Sequence, residues 1–181
     1  CEFAAPITLP KDGARTLQLA AELGVNDAEL RFASRAAGAR SAFEANAACR
    51  ISRAPGEAAR AVDLDALRAR CSAPEARDVF YAALEASGLA VPKERRALRE
   101  ASFGAGEALA RLTHAAPLAR GEVIPAPLLD ACIQLLSRLA EKTRGDALSR
   151  FELTRIGSLT LGGGAPLQGE LFAHARLAPG G

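Results

Sequence analysis

Apolar and polar residues alternate in twos through much of the first fifty positions. Leu17, Leu19, Ala21 and Leu23 are separated mostly by polar residues, and Leu30 and Phe32 open a second run that ends near Ala37-Gly38. Phe43, Ala45, Ala47, Cys49 and Ile51 then share one face, with Glu44, Asn46, Arg50 and Ser52 on the other. A strand turns successive side chains to opposite faces, so this period predicts an antiparallel meander over residues 1–53. The alanines keep a helix over 28–50 open as an alternative.

Ala54-Pro55-Gly56 breaks the alternation, and the period lengthens. Asp63 to Arg70 fits a short helix. Ser72-Ala73-Pro74-Glu75 reads as a capping box that opens a second helix, with Val79, Phe80, Ala83 and Leu84 on one face and a stop at Ser87-Gly88. Residues 54–104 are thus expected to be a connecting helical segment. Glu107 to Leu112 returns to a strand pattern. Pro125 and Pro127 open the clearest helix, 125–144, whose Leu128, Leu129, Cys132, Leu135, Leu136 and Leu139 give a broad apolar face before Arg144-Gly145. Phe151–Leu161 and Leu167–Leu177 alternate around Gly162-Gly163-Gly164 and predict a hairpin over 150–177. The class expected is α+β, an antiparallel sheet wrapped around a long apolar helix, with residues 105–181 as its second half.

Composition narrows the function classes. The 181 residues are 49% hydrophobic and 24% charged with a net charge of +2, and arginine is spread along the chain rather than gathered into a nucleic-acid footprint. No apolar run approaches the roughly 20 residues that span a bilayer. Cys1, Cys49, Cys71 and Cys132 form no C-x-x-C pair and have no histidine at metal spacing, which points to buried thiols in a reducing cytosol. Cysteine at position 1 and the absence of methionine admit two explanations: a lipid-modified mature terminus, or a domain of a longer polypeptide. The apolar run from Phe3 to Leu9 is unlike a polar tether and favours the second.

Six short segments occur in the order of one family. Phe3-Ala4-Ala5-Pro6-Ile7-Thr8-Leu9-Pro10, Phe32-Ala33-Ser34-Arg35 and the Phe43–Ile51 strand come first. Phe80-Tyr81-Ala82-Ala83-Leu84-Glu85-Ala86-Ser87-Gly88-Leu89, Leu128-Leu129-Asp130-Ala131-Cys132-Ile133-Gln134 and Gly169-Glu170-Leu171-Phe172-Ala173-His174-Ala175-Arg176-Leu177 follow. Together they resemble the dehydratase domains of modular type I polyketide synthases, enzymes of secondary metabolism such as antibiotic biosynthesis. The resemblance implies a double hot-dog fold and loss of water from a β-hydroxyacyl thioester, or a related isomerisation or cyclisation. It implies no cofactor of the domain's own, since the substrate rides on the phosphopantetheine arm of an acyl carrier protein. It implies the carrier protein, a ketosynthase and a ketoreductase as partners, allows a homodimer, and places the domain in the cytoplasm without nucleic-acid or membrane contacts.

Dehydration needs a base for the α-proton and an acid for the departing hydroxyl. Asp130 matches the family's acid, and Gln134, one helical turn on, is placed to orient it. The apolar helix around Asp130 is expected to favour its protonated form. The family's base is a histidine in a segment upstream of the first match. His174 falls on a non-catalytic position, His114 follows a strand, and Cys132 is expected to be core. Some signatures are altered: Val91-Pro92-Lys93-Glu94-Arg95 replaces "YGPxF", Pro125-Ala126-Pro127 replaces "HPA", and Asn46 stands where the family has a histidine. These departures sustain an alternative, a non-dehydrating relative with a structural, carrier-docking or β-branching role beside a ketosynthase.

Overall fold

A computed structural model describes residues 1–53, 61–114, 124–145, 153–161 and 170–178. The chain divides into two units, Cys1–Ala59 with Glu152–Gly164, and Arg60–Phe151 with Ala165–Gly181. Each is built on a four-stranded antiparallel sheet.

In the first unit, β1 (Glu2–Phe3), β2 (Arg15–Leu23), β3 (Asp27–Ala36) and β4 (Glu44–Ser52) lie in the order β1-β4-β3-β2. The register sets Leu19 opposite Phe32, Leu23 opposite Ala28, and Leu30 opposite Cys49. One face is therefore a continuous apolar surface of Leu17, Leu19, Leu23, Leu30, Phe32, Cys49 and Ile51. The other is polar, with Arg31 paired to Glu29 and Glu22, and Arg50 to Asp27. The meander expected over 1–53 is present, and the helix alternative over 28–50 is not.

One detail of the expected pattern changes. The register shifts between Phe32, opposite Ala47, and Ala33, opposite Ala45, which leaves Asn46 as the extra residue of a bulge. A bulge inverts the alternation beyond it. Phe43 and Ala45 therefore share the polar face with Arg35, whose guanidinium stacks on the Phe43 ring at 4.4 Å. Asn46 is buried instead of facing water, and its Nδ2 donates to the Ala5 carbonyl at 3.3 Å.

The second unit begins with α1 (Leu64–Arg70), capped by the Asp63 side chain as its sequence suggests. The capping box expected at Ser72–Glu75 is not formed. Ala73–Ala76 is a strand, β5, at the edge of a sheet ordered β5-β6-β7-β8, an edge being where a sheet tolerates a residue such as Pro74 that has no N–H. The helix α2 (Arg77–Ala86) starts after it and buries Phe80, Tyr81 and Leu84, while Val79 is exposed. The stretch expected to be a connecting helical segment, 54–104, thus also supplies two strands, β5 and β6 (Leu98–Phe103). A second bulge, between Leu98 and Glu100, had interrupted the alternation of β6.

β7 (Glu107–Leu112) and β8 (Leu171–Arg176) complete the sheet, and α3 (Ala126–Arg144) lies across it. Pro127 sits at the second helical position, where its missing N–H costs nothing, and Gly145 closes the helix with φ of 71°. Leu128, Ala131, Leu135 and Leu139 pack with Phe80, Tyr81, Leu84, Leu98, Phe103 and Leu112 in one core. Cys132 is exposed, so the expectation that it is core does not hold: the buried stripe runs through Ala131 and Leu135. On the sheet's other face, Leu109 packs with Leu67 and Cys71.

The arms of the expected 150–177 hairpin go to different sheets. Thr154 and Ile156 bond to Phe3 and Cys1 beside β1, whereas β8 pairs with β7. Gly162–Gly164 lie outside the described residues.

Candidate active site

Asp130 and Gln134 meet as their spacing requires. The Gln134 amide donates from Nε2 to Asp130 Oδ2 at 2.9 Å, inside one turn of α3. Asp130 is half-buried; Gln134 is 1% exposed, and its Oε1 has no hydrogen-bond partner among the described residues. A buried amide that commits its N–H to a carboxylate fixes the carboxylate's orientation, and its free carbonyl is a strong unsatisfied acceptor. Tyr81 lies within electrostatic reach of Asp130. Its hydroxyl accepts from the Leu98 N–H at 3.1 Å, and burial raises the phenol's pKa, with the Asp130 charge pushing the same way.

Further along α3 stands a cluster that the sequence reading did not identify. Glu75 of β5 is buried and accepts from Arg138 Nε at 3.0 Å, Arg138 Nη2 at 2.8 Å and Lys142 Nζ at 2.7 Å. Arg138 Nη1 also pairs with Glu141 at 2.8 Å. Burial raises the Glu75 pKa, but the hydrogen bonds from Arg138 and Lys142 outweigh it and hold the carboxyl below its ordinary range. The signal available in the sequence was the run Asp130, Gln134, Arg138, Lys142 at four-residue spacing. Glu75 is 63 residues from Arg138 and carries no local sign of the pairing.

Neither histidine joins Asp130. His174 is exposed on β8, its Nε2 3.0 Å from Glu107 Oε2, while Arg70 donates to Glu107 at 2.7 and 3.3 Å. Those hydrogen bonds, Arg70's first, lower the Glu107 carboxyl to about 2. His114 is half-buried just beyond β7. Among the described residues no three His, Cys, Asp or Glu side chains cluster as metal ligands, and no helix is long and apolar enough to cross a membrane. An apolar hollow of about 470 Å³ in the first unit is lined by Phe3, Ile7, Phe32 and Leu153 among others, with Asn46 at its wall, and none of its lining side chains among the described residues is titratable. The "YGPxF" replacement forms a 3-10 turn, Lys93–Arg95, with exposed charged side chains.

Residues 59–180 match the family described as polyketide synthase dehydratase N-terminal domain. No curated protein matches. Among solved structures, the chain is similar to an inactive mutant of the CurK dehydratase, with a TM-score of 0.76 and 16% identity over 98% of this chain and 63% of that one. It is similar to the dehydratase domain from the CurK module of curacin polyketide synthase (0.72, 15%, 98% and 63%) and to that from the CurH module (0.63, 23%, 77% and 51%). At these identities the likeness is one of fold, and it bears out the α+β hot-dog class. The chain spans about 63% of the length of the CurK structures.

Proposed function

The chain belongs to the polyketide synthase dehydratase family, and on that premise we propose that it contributes the acid side of a dehydrating site. The substrate is a β-hydroxyacyl thioester on the phosphopantetheine arm of an acyl carrier protein. A base removes the α-proton, the Cβ–O bond breaks, and Asp130 delivers its proton to the departing hydroxyl, leaving water and an enoyl thioester. Asp130 then regains a proton to complete the cycle. Gln134 holds the carboxyl in place. With His174 engaged by Glu107, the base is assigned to a histidine outside this sequence. In the same assembly a ketoreductase supplies the β-hydroxyacyl chain and a ketosynthase receives the chain afterwards, and the setting is cytoplasmic.

The observation that supports this reading is the 2.9 Å bond between a buried amide and a half-buried carboxyl on the helix that the second sheet packs against. The test is turnover by the intact domain in its native boundaries, with a β-hydroxyacyl thioester on its carrier protein and intact-mass detection. Loss of water that disappears in Asp130→Asn supports the acid role. No loss of water from several substrates by a folded domain favours the second reading, a relative that docks the carrier protein without dehydrating. The exposed charged turn at Lys93–Arg95 is the feature on its side.

A further inference from the structure

Asp130, Gln134, Arg138 and Lys142 stand four residues apart on α3 and form one polar stripe along it. The N-terminal half of the stripe holds the Gln134–Asp130 bond, and the C-terminal half is tied to Glu75 of β5. The Gln134 carbonyl on this stripe is buried and has no hydrogen-bond partner among the described residues. Buried acceptors rarely stay unpaired, so an Oε1 without a partner among the described residues, with Arg138 four residues on, raises the question of what occupies that guanidinium. Glu75 is the competitor: a buried carboxylate takes both Nε and Nη2 of Arg138 in a bidentate pair, which a neutral amide oxygen cannot match.

We propose that Glu75 is a positioning residue for the Asp130–Gln134 pair, holding Arg138 against β5 and off the Gln134 carbonyl so that the amide stays turned toward Asp130. The inference rests on Asp130 being the site's acid. With Glu75 neutral, Arg138 keeps Glu141 through Nη1, while its Nε and Nη2 lose their carboxylate and turn to Oε1. Lys142, which is more exposed than Arg138, turns to solvent. A cation on Oε1 draws the amide one turn down the helix and opens the bond to Asp130.

The experiment follows the Gln134 side-chain amide of the ¹⁵N-labelled full chain as Asp130 is titrated. In the parent chain these signals move with Asp130. In Glu75→Gln the response is lost, and in Glu75→Gln/Arg138→Met it returns, because the competing cation is gone although the clamp is still broken. A purely structural clamp gives another pattern, with the response intact in the single variant or lost in both, and either result overturns the proposal. In the intact dehydratase, kcat falls roughly ten-fold in the single variant with KM unchanged and recovers in the double. Asp130→Asn is run alongside: if it leaves turnover intact the functional reading fails, while the amide titration still decides the positioning.

Discussion

Arg138→Met tests how much the buried cluster stabilises the second unit. The substitution keeps the length of the aliphatic stem and removes the guanidinium. It leaves the Glu75 carboxylate, whose side chain is 6% exposed, with Lys142 as its one remaining donor among the described residues. Removing one member of a buried pair costs ~3–5 kcal/mol because the charge left behind is uncompensated. Lys142 retains part of that compensation, which places the expected loss at ~3 kcal/mol. For a chain of this length that lowers the melting temperature by roughly 6–12 °C. Replacing both partners, Glu75→Leu/Arg138→Met, removes the stranded charge and falls within ~1 kcal/mol of the parent. The sign of the pH effect follows from the lowered Glu75 pKa. Its contribution is complete above the unfolded carboxylate value of about 4.3 and is lost as pH falls through the lower folded value. Urea unfolding followed by circular dichroism at pH 7 and again at pH 3 measures both effects. Arg138→Met within ~0.5 kcal/mol of the parent at pH 7, or a double variant worse than the single, would refute the reasoning.

Three further outcomes are expected. Leu135→Ala, at a fully buried position of α3, costs ~3 kcal/mol by cavity formation; a thermal melt that does not move would mean that α3 is not packed as described. The Glu107 carboxyl titrates near 2 in a carboxyl-detected NMR experiment, and in Arg70→Met its midpoint climbs toward the ordinary carboxylate range, since Arg70 is the main cause of the shift. Because that folded value is depressed, whatever Glu107 contributes to stability is complete above the unfolded carboxylate value of about 4.3 and is lost progressively as pH falls from there through about 2. Ala45→Glu and Ala47→Glu separate the two faces of β4: the first, beside Ala33 on the polar face, changes stability by less than ~0.5 kcal/mol, whereas the second replaces an apolar cross-strand contact with the partly exposed Phe3 and Phe32 and costs ~1 kcal/mol. Equal effects would remove the bulge at Asn46 from the account.

What a single sequence reveals depends on how far apart the cooperating residues lie. The helix α3 was legible because its apolar positions, its two prolines and its closing glycine are all local. Asp130 and Gln134 were legible as a pair because a four-residue spacing on a helix is a contact; what marked them as a site was the family segment around them, not the spacing. The Glu75 cluster was not, because a strand residue and a helix residue 63 positions apart meet only through the fold. Ser72-Ala73-Pro74-Glu75 also satisfied a helix-start pattern, so the same glutamate that anchors α3 to the sheet looked like a cap.

Two of the strand errors share a physical origin. Both places where alternation misled, Asn46 in β4 and the Leu98–Glu100 step in β6, are bulges. One extra residue leaves each half of a strand regular and inverts the relation between the halves. In β4 this turned a buried asparagine into an expected surface residue and put Phe43 on the wrong face; in β6 it broke a buried strand into a pattern too short to recognise. The Asn46 bulge also has a consequence for packing. Its backbone carbonyl accepts from the N–H groups of Ala4 and Ala5 at 2.8 and 3.3 Å, and its side chain holds the Ala5 carbonyl. The residue that interrupts the pairing of β4 with β3 thereby fixes the path of the segment leaving β1. A bulge that looks like a defect in the sequence pattern is, in the fold, the tie that orders its neighbour.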